Sequence, residues 1–523
     1  MSKQNRRGAF IAFAAVAGVV SGLVFLAAAE LSALLVARDA SPLLAVGSFV
    51  IDVVPQPLKE FAISTFGEFD KVALLIGLGL AVVIASAAAG VLQLVRPPLG
   101  ATALGIAGAA SVAATTTRAG VTPLAFLPSV LGAVAGIAAL VLLCRRLRTW
   151  QRAAAIPDSD AGGDDGVSVD RRRFFALAGI AGASALVVGI TSRVVSATSS
   201  SVAAIRKGLR LPPARTSVTI PDGAELDIPG ISPLFTPNAD FYRVDTALTV
   251  PTVDPASWRL VIDGMVDKRV ELSFDELVEM GLDEYAITLT CVSNVVGGDL
   301  VGNAMWLGVP IRDVLRLAGP QTDADMVLSR SVDGYTASTP LSALTDAGRD
   351  AILAVGMNGQ PLPLEHGFPV RMVVPGLYGY VSATKWVTEL KVTTFEKDEA
   401  YWTPRGYSAQ APIKFSSRID TPKIGKSVAA GRIPIAGVAW AQTVGIEAVE
   451  VRIDDGEWQR ATLSAPISTD TWVQWMLEWD ATPGTHYVTV RAINKNGEMQ
   501  IQESAPIAPD GSTGWQRSLI AVS

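Results

Sequence analysis

Long apolar runs in the first third of the chain limit its possible folds more than any other feature. An α-helix needs about 20 mostly apolar residues to cross a bilayer. Five runs reach or approach that length, at residues 8–36, 72–95, 99–117, 122–144 and 174–195. We predict a four-helix transmembrane region over residues 1–152 and a fifth transmembrane helix over residues 171–196.

Two polar segments interrupt this apolar region. Residues 43–66 contain charges and prolines, which favour a helix at the membrane surface over a further span. The interrupting residues are Asp52, Pro55, Pro57, Lys59 and Glu60. Residues 153–170 combine several aspartates with glycines and serines, a composition typical of a flexible polar linker, and we predict that this linker is cytoplasmic.

The distribution of basic residues predicts the orientation of the spans, because lysine and arginine concentrate in cytoplasmic loops. One set of helix ends carries Lys3, Arg6, Arg7, Arg96, Arg145, Arg146, Arg148 and Arg152, whereas the opposite loops carry Arg38, Lys59, Lys71 and Arg118. The N-terminus is therefore expected in the cytoplasm. Five spans then place the rest of the chain on the outer face of the cytoplasmic membrane. Arg171, Arg172 and Arg173 resemble a twin-arginine export signal, and they equally fit an ordinary cytoplasmic cluster of positive charge.

After about residue 197, charged and turn-forming residues return at ordinary frequency. Candidate strands at 259–262, 285–289 and 326–329 alternate with candidate helices at 274–280 and 311–317. This alternation predicts a mixed α+β domain over residues 197–410. Runs of alternating polarity follow at 433–439, 448–453, 471–478 and 486–492. They predict an all-β, immunoglobulin-like sandwich over residues 411–523.

Cys291 is the only cysteine outside the apolar first third, and it directly follows a candidate strand. Such a thiol has three possible uses: a buried structural side chain, a nucleophile, or a ligand for a soft metal. A nucleophile normally requires a nearby base, yet the two histidines of the chain, His366 and His486, are both distant from Cys291 in sequence. The sequence therefore favours metal ligation over a nucleophilic role for this thiol.

Ordered blocks of sequence distinguish further between these uses. They are Cys291-Val292-Ser293-Asn294, Met305-Trp306-Leu307-Gly308-Val309-Pro310, Met357-Asn358-Gly359-Gln360-Pro361, and His366-Gly367-Phe368-Pro369-Val370-Arg371 with Lys385-Trp386 beyond it. In content and order these blocks resemble the sulfite oxidase family of molybdopterin enzymes, over roughly residues 233–523. With the apolar helices, the resemblance implies a membrane-anchored bacterial type that carries a molybdenum-molybdopterin cofactor. It also implies that the immunoglobulin-like domain is of the dimerisation type.

The resemblance implies roles for individual residues as well. Cys291 matches the thiolate that ligates molybdenum. Contacts to the cofactor are expected from Cys291 itself and from Asn238, Phe241, Asn294, Asp333, His366, Arg371 and Lys385. Arg371 and Lys385 suit phosphate oxygens, because arginine offers a planar fork of donors and lysine a point charge. Arg243 and Tyr242 join Cys291 as expected catalytic residues.

Two positions depart from the family pattern. Sulfite oxidases carry arginines soon after the ligating cysteine, where this chain has Val295 and Val296. Loss of two cations weakens the attraction for the sulfite dianion. The leading prediction is therefore an extracytoplasmic two-electron oxo-transfer enzyme for a sulfur oxo compound. An S- or N-oxide reductase of the methionine sulfoxide type is an alternative, and a non-catalytic, membrane-anchored β-sandwich binding module is a third.

The expected partners follow from the same residues. Neither histidine lies in the apolar region, so its helices offer no histidine pair for b-type haem, and the chain has no Cys-x-x-Cys-His motif. We therefore expect no haem in this chain. Electrons are expected to pass to or from a separate cytochrome or a quinone-linked partner. A homodimer is possible, and nucleic acid is not an expected partner.

Overall fold

The computed structural model describes residues 3–36, 70–116, 123–153 and 198–523, with isolated positions in 45–65 and 172–182. Apart from those positions, the predicted surface helix, the cytoplasmic linker and the fifth transmembrane helix lie outside the described residues. The chain divides into two compact units. One is Met1–Ser199 with Ala247–Thr249, and the other is Ser200–Thr246 with Val250–Ser523.

In its described residues, the first unit contains four long helices. They are α1 (Lys3–Val36), α2 (Asp70–Val95), α3 (Leu99–Thr116) and α4 (Leu127–Ala153). Each contains a stretch that is long and apolar enough to cross a membrane. Glycines let these helices approach closely, since a Cβ atom on Gly18 would collide with the backbone of Gly90. The prediction of four long apolar helices in this region is confirmed.

The second unit begins within helix α5 (Thr198–Gly208) and continues into an α+β domain. In chain order its elements are β1 (Arg259–Gly264), β2 (Val270–Ser273), α6 (Phe274–Glu279), β3 (Asp283–Thr290), β4 (Val301–Pro310), α7 (Ile311–Ala318), β5 (Met326–Ser331), β6 (Thr336–Pro340), α8 (Leu341–Thr345), β7 (Ile352–Met357), β8 (Gln360–Pro361), β9 (Arg371–Val373) and β10 (Val387–Thr393). The predicted strands and helices of this domain are therefore confirmed.

These strands form two sheets. One has the order β2-β1-β10-β5-β6, with β1 and β10 parallel, and the other has the order β3-β4-β7-β8, with β9 paired to β7. Local sequence explains the helix bounds. Ser273 caps α6 in a reciprocal capping box with Glu276, and Gly319 ends α7 in a left-handed conformation with φ of 70°. Strand β3 forms an edge of the second sheet and leads directly to Cys291.

The C-terminal residues form a β-sandwich, as predicted. Its strands are β11 (Ser416–Thr421), β12 (Gly431–Trp440), β13 (Ile446–Ile453), β14 (Gln459–Arg460), β15 (Thr462–Leu463), β16 (Val473–Ala481), β17 (Gly484–Asn494) and β18 (Gln516–Val522). One sheet has the order β11-β12-β16-β15 and the other β14-β13-β17-β18. Alternate side chains of both sheets, including Ile435, Trp475, Val449 and Val490, pack into one apolar core. We call this part the sandwich domain.

Candidate active site

Cys291 opens a tight loop, residues 291–300, which joins β3 to β4; we call it the cysteine loop. The backbone N–H of Cys291 donates to the carbonyl of Leu300 at 2.9 Å, and the N–H of Asn294 donates to the carbonyl of Cys291 at 3.0 Å. The side-chain oxygen of Asn294 accepts from the N–H of Leu300 at 2.9 Å. These bonds use the backbone of Cys291, so its thiol is left to face the interior, where the residue is 8% exposed.

A cavity of about 140 Å³ adjoins this thiol. It brings together seven of the residues that the sequence singles out: Phe241, Tyr242, Cys291, Asp333, His366, Arg371 and Lys385. They come from separate segments of the chain, and the loop after α5, the end of β3, the turn between β5 and β6, and strand β9 each supply at least one. The fold therefore collects a thiol, two cations, a phenol and an imidazole around one space.

Arg371 is the most unusual charge in this cavity. The residue is 6% exposed, and its guanidinium donates only to backbone carbonyls, those of His366 at 3.2 Å, Met372 at 3.3 Å and Ala383 at 3.5 Å. Among the residues that the structure describes, no carboxylate pairs with it. Burial lowers the pKa of Arg371 to about 10. A buried cation without a counter-ion is costly, so this position favours an anionic ligand.

Lys385 lies beside Arg371 but is paired. Its Nζ is 2.7 Å from a carboxylate oxygen of Asp245 and 3.1 Å from the carbonyl of Glu365. Burial is the main influence on the pKa of Lys385 and lowers it to about 8, although the charge of Asp245 opposes this effect. Gly367 allows the two cationic segments to approach, because a Cβ atom there would lie 2.9 Å from the Cβ of Arg371.

The surroundings of Cys291 shift the pKa of its thiol. Burial raises its pKa, and hydrogen bonds from Ser293 and the positive charge of Lys385 oppose that rise. The isolated site therefore holds a protonated thiol. A bound metal cation would displace this proton, since thiols ligate metals as thiolates. The arrangement is suited to a ligand that brings positive charge close to sulfur.

Tyr242 presents a phenol to the same space. Its ring stacks on Phe241 with ring centroids 5.2 Å apart, and burial raises the pKa of Tyr242 above its usual value. Its hydroxyl makes no hydrogen bond to any other residue that the structure describes. A protonated phenol without a protein partner can donate a hydrogen bond to a bound substrate.

His366 is neutral in this environment. Burial is the main cause, followed by the charge of Arg371, and together they lower the pKa of His366 to about 4. Its Nε2–H donates to the carbonyl of Asn238 at 3.1 Å. His366 therefore adds no cation to the site and instead holds the segment that carries Phe241 and Tyr242.

Three predicted site residues do not line the cavity. Asn238 forms hydrogen bonds with Met357 and Asn358, and the side chain of Asn294 forms a hydrogen bond within the cysteine loop. The Arg243 side chain is 39% exposed and pairs with Asp245 at 3.0 Å. Val295 and Val296 also lie outside the lining residues, and Val295 is 56% exposed. These two positions therefore do not contribute to the wall of the cavity beside Cys291.

Several lining residues escaped the sequence analysis. They are Asp245, Thr246, Tyr380, Trp402 and Tyr407, together with Tyr335 from the same segment as the predicted Asp333 and Trp386 from a recognised block. The phenols of Tyr335 and Tyr380 donate to backbone carbonyls at 2.8 and 2.7 Å, so these two side chains offer ring surface rather than free hydroxyls. One side of the cavity is consequently an apolar, aromatic wall.

Comparisons with known proteins show which enzymes this chain resembles. Residues 247–402 match the family model of the oxidoreductase molybdopterin binding domain, and residues 416–490 match that of the bacterial Ig domain. Mitochondrial sulfite oxidase from Homo sapiens is 31% identical over 320 residues, which cover 52% of this chain and 58% of that protein. Sulfite oxidase from Gallus gallus is 29% identical over 334 residues, with 54% and 72% covered. The chain thus spans less than two thirds of the human relative.

Among solved structures, the sulfane dehydrogenase SoxCD from Paracoccus pantotrophus is similar with a TM-score of 0.49 and 21% sequence identity. That match covers 58% of this chain and 88% of the other.

Proposed function

We propose that this chain, which belongs to the sulfite oxidase family of molybdopterin oxidoreductases, exchanges an oxygen atom for two electrons with a sulfur compound at the cavity beside Cys291. The proposal rests on one observation. The buried thiol of Cys291 and the buried cation Arg371 line the same cavity, and Arg371 has no carboxylate partner in the described part of the chain.

The donor set fits a molybdenum-molybdopterin cofactor. Such a cofactor brings an anionic phosphate and a metal that already has ligands of its own. Arg371 and Lys385 would hold the anionic part, and Cys291 would ligate the metal. Among the described residues no group of three or more histidine, cysteine or acidic side chains could hold a metal ion. A single thiolate therefore fits a metal that arrives with its organic ligand.

The cofactor, when bound, supplies a molybdenum centre that exchanges oxygen and electrons with substrate. The residues of this chain position the reactants and the protons. Reduction of a sulfoxide consumes two electrons and two protons and releases water and a thioether, and oxidation of a thioether is the reverse. Tyr242 is the residue placed to donate a hydrogen bond to the substrate oxygen, because its hydroxyl is protonated and has no partner in the described chain.

The charges of the cavity favour a neutral substrate over a dianion. Two carboxylates, Asp245 and Asp333, line the cavity together with the two cations Arg371 and Lys385, so the net side-chain charge of the lining is close to zero even though Arg371 has no direct carboxylate partner in the described chain. An anionic cofactor and a thiolate would make the site more negative still. Together with the aromatic wall, this charge balance supports a neutral sulfoxide or thioether as the substrate. The S-oxide reductase therefore remains an alternative function, and sulfite is a weaker candidate substrate. The family match argues against a non-catalytic binding module.

The proposal is tested on the full-length protein in detergent. We expect one molybdenum and one pterin per chain. With an artificial electron mediator, kcat/KM for a neutral sulfoxide or thioether should exceed that for sulfite by at least about tenfold, because electrostatic steering is worth roughly 10- to 1000-fold and a lining with no net positive charge does not supply it to a dianion. The neutral reaction should also be insensitive to ionic strength. A protein without molybdenum would refute the function, and rapid, salt-sensitive sulfite oxidation would refute the neutral substrate.

The location of the active site is part of the proposal. The basic residues at the helix ends support a cytoplasmic N-terminus, and four helices return the chain to that side. A fifth span at residues 174–195 would then place the catalytic domain outside the cytoplasmic membrane. We expect a reporter fused after residue 523 to be active only outside, and one inserted in residues 153–170 only inside. Activity of both reporters on the same side would exclude the fifth span.

The electron partner follows from the chemistry. Each turnover leaves or requires two electrons, so a separate cytochrome or a quinone-linked protein is proposed to exchange them. The sandwich domain is also proposed to support a homodimer.

A further inference from the structure

The sandwich domain holds the strand that leads to Cys291. Thr288 lies three residues before the cysteine and is fully buried. Its backbone N–H donates to the carbonyl of Asp470 at 3.0 Å, and its hydroxyl oxygen accepts from the N–H of Trp472 at 2.8 Å. The side-chain amide of Gln442 donates to its carbonyl. All three polar groups of Thr288 therefore have a partner in the sandwich domain.

The same domain also holds the cysteine loop beyond Cys291. The hydroxyl of Ser512 donates to the carbonyl of Asn294 at 2.7 Å, three residues after the cysteine. The guanidinium of Arg418 donates to the carbonyl of Gly298 at 3.0 Å. Gly297 has a φ of 76°, and a Cβ atom there would lie 2.8 Å from the side chain of Gln516. Contact with the sandwich domain thus continues along the loop.

Arg418 is itself rigidly held. Its Nε pairs with Asp420 at 2.7 Å, its second terminal nitrogen donates to the hydroxyl of Ser232 at 2.7 Å, and its side chain is 10% exposed. A buried arginine with three different partners has little freedom to move. The carbonyl of Gly298 is therefore fixed against a rigid point of strand β11.

We infer that the sandwich domain positions the Cys291 thiol, with Ser512 and Arg418 acting as positioning residues. Cys291 lies between two anchors, Thr288 before it and Asn294 after it, and both anchors are bonded to the sandwich domain. A metal ligand must be held within about 0.5 Å of its working geometry, and outer partners that orient ligands affect metal sites by roughly 10- to 100-fold. This role rests on the proposed function, because it takes Cys291 as the molybdenum ligand.

The sharpest test removes one anchor without disturbing the fold. Ser512→Ala deletes only the hydroxyl that bonds to Asn294, and Ser427→Ala is the matched control, because Ser427 bonds within the sandwich domain to Ala521 and Ser523. In the full-length protein from a host that cannot make molybdopterin, the alkylation rate of Cys291 is measured by peptide mapping, which separates it from Cys144. One hydrogen bond contributes about 0.5–1.5 kcal/mol, so Ser512→Ala should react roughly two- to tenfold faster. The control should react at the wild-type rate.

A second variant examines the other contact in the cofactor-loaded protein. Arg418→Gln with Asp420→Asn removes both charges and leaves no lone buried ion. We expect altered Mo(V) electron paramagnetic resonance and a lower kcat at unchanged KM in this variant and in Ser512→Ala.

The outcomes separate the two claims. Wild-type alkylation rates and wild-type Mo(V) spectra in both variants would overturn the positioning role. Faster alkylation in a chain whose wild type binds no molybdenum would keep the positioning of the thiol but remove the proposed function.

Discussion

Replacement of Cys291 by serine is expected to lower turnover by at least about a hundredfold, since even residues that only orient a metal ligand affect such sites by roughly 10- to 100-fold. The fold should survive, because the loop bonds at this position use the backbone N–H and carbonyl, and serine is close in size to cysteine. Turnover with a mediator, molybdenum content, the Mo(V) spectrum and the thermal unfolding midpoint measure the result. A changed spectrum with an unchanged midpoint is expected.

The chain offers a matched control in its other cysteine. Cys144 is also buried, but it lies in helix α4. Cys144→Ser should leave turnover and the Mo(V) spectrum at wild-type levels. Full activity and an unchanged spectrum in Cys291→Ser would show that this thiol is a structural side chain, the first of the three uses that its sequence left open.

The sequence was sufficient for those parts of the site that occur in contiguous blocks. Cys291 follows a strand, and Arg371 borders the buried run Met372-Val373-Val374, so both could be singled out from their neighbours. The same reasoning located the strands and the apolar helices, because hydrophobic periodicity is a local property. The domain boundaries at residues 197–410 and 411–523 stay predictions.

Other parts depend on tertiary contacts that no local pattern contains. Asp245 and Arg243 are two residues apart, yet Asp245 faces the cavity and pairs with Lys385, whereas Arg243 points outward. The aromatic wall combines residues from separate segments, such as Tyr335 and Trp402, which are unremarkable in their own surroundings. Val295 and Val296 follow Cys291 closely in the sequence, yet neither lines the cavity.

The contacts between the sandwich domain and the cysteine loop illustrate the same limit. Sequence patterns predicted the sandwich as a separate module, because its strands alternate within themselves. Its bonds to Thr288 and Asn294 join a side chain or backbone group of one domain to the backbone of another. Backbone groups carry no residue-specific signal, so a single sequence cannot reveal such pairings.

Replacement of Arg371 by methionine is expected to change cofactor affinity and apoprotein stability in opposite directions. The arginine is buried and bonds only to carbonyls, so its charge is uncompensated until an anion binds. Hydrogen bonds to charged groups contribute about 1.5–3 kcal/mol, so affinity for the cofactor should fall roughly 10- to 150-fold. Removal of a buried, unpaired cation should leave the unfolding midpoint of the cofactor-free protein unchanged or higher. Molybdenum content and thermal unfolding measure the two effects.

Arg491→Met provides the control, because Arg491 is a half-buried arginine of the sandwich domain that already has a carboxylate partner. Its guanidinium lies 2.6 Å from Glu450 and packs over Trp458. This variant should lower the unfolding midpoint, since Glu450 loses its counter-ion, and should retain wild-type molybdenum content. If Arg371→Met instead lowered the midpoint and kept its molybdenum, Arg371 would be a structural cation. The anionic part of the cofactor would then have to be held by Lys385, whose charge would be released from Asp245 when the cofactor binds.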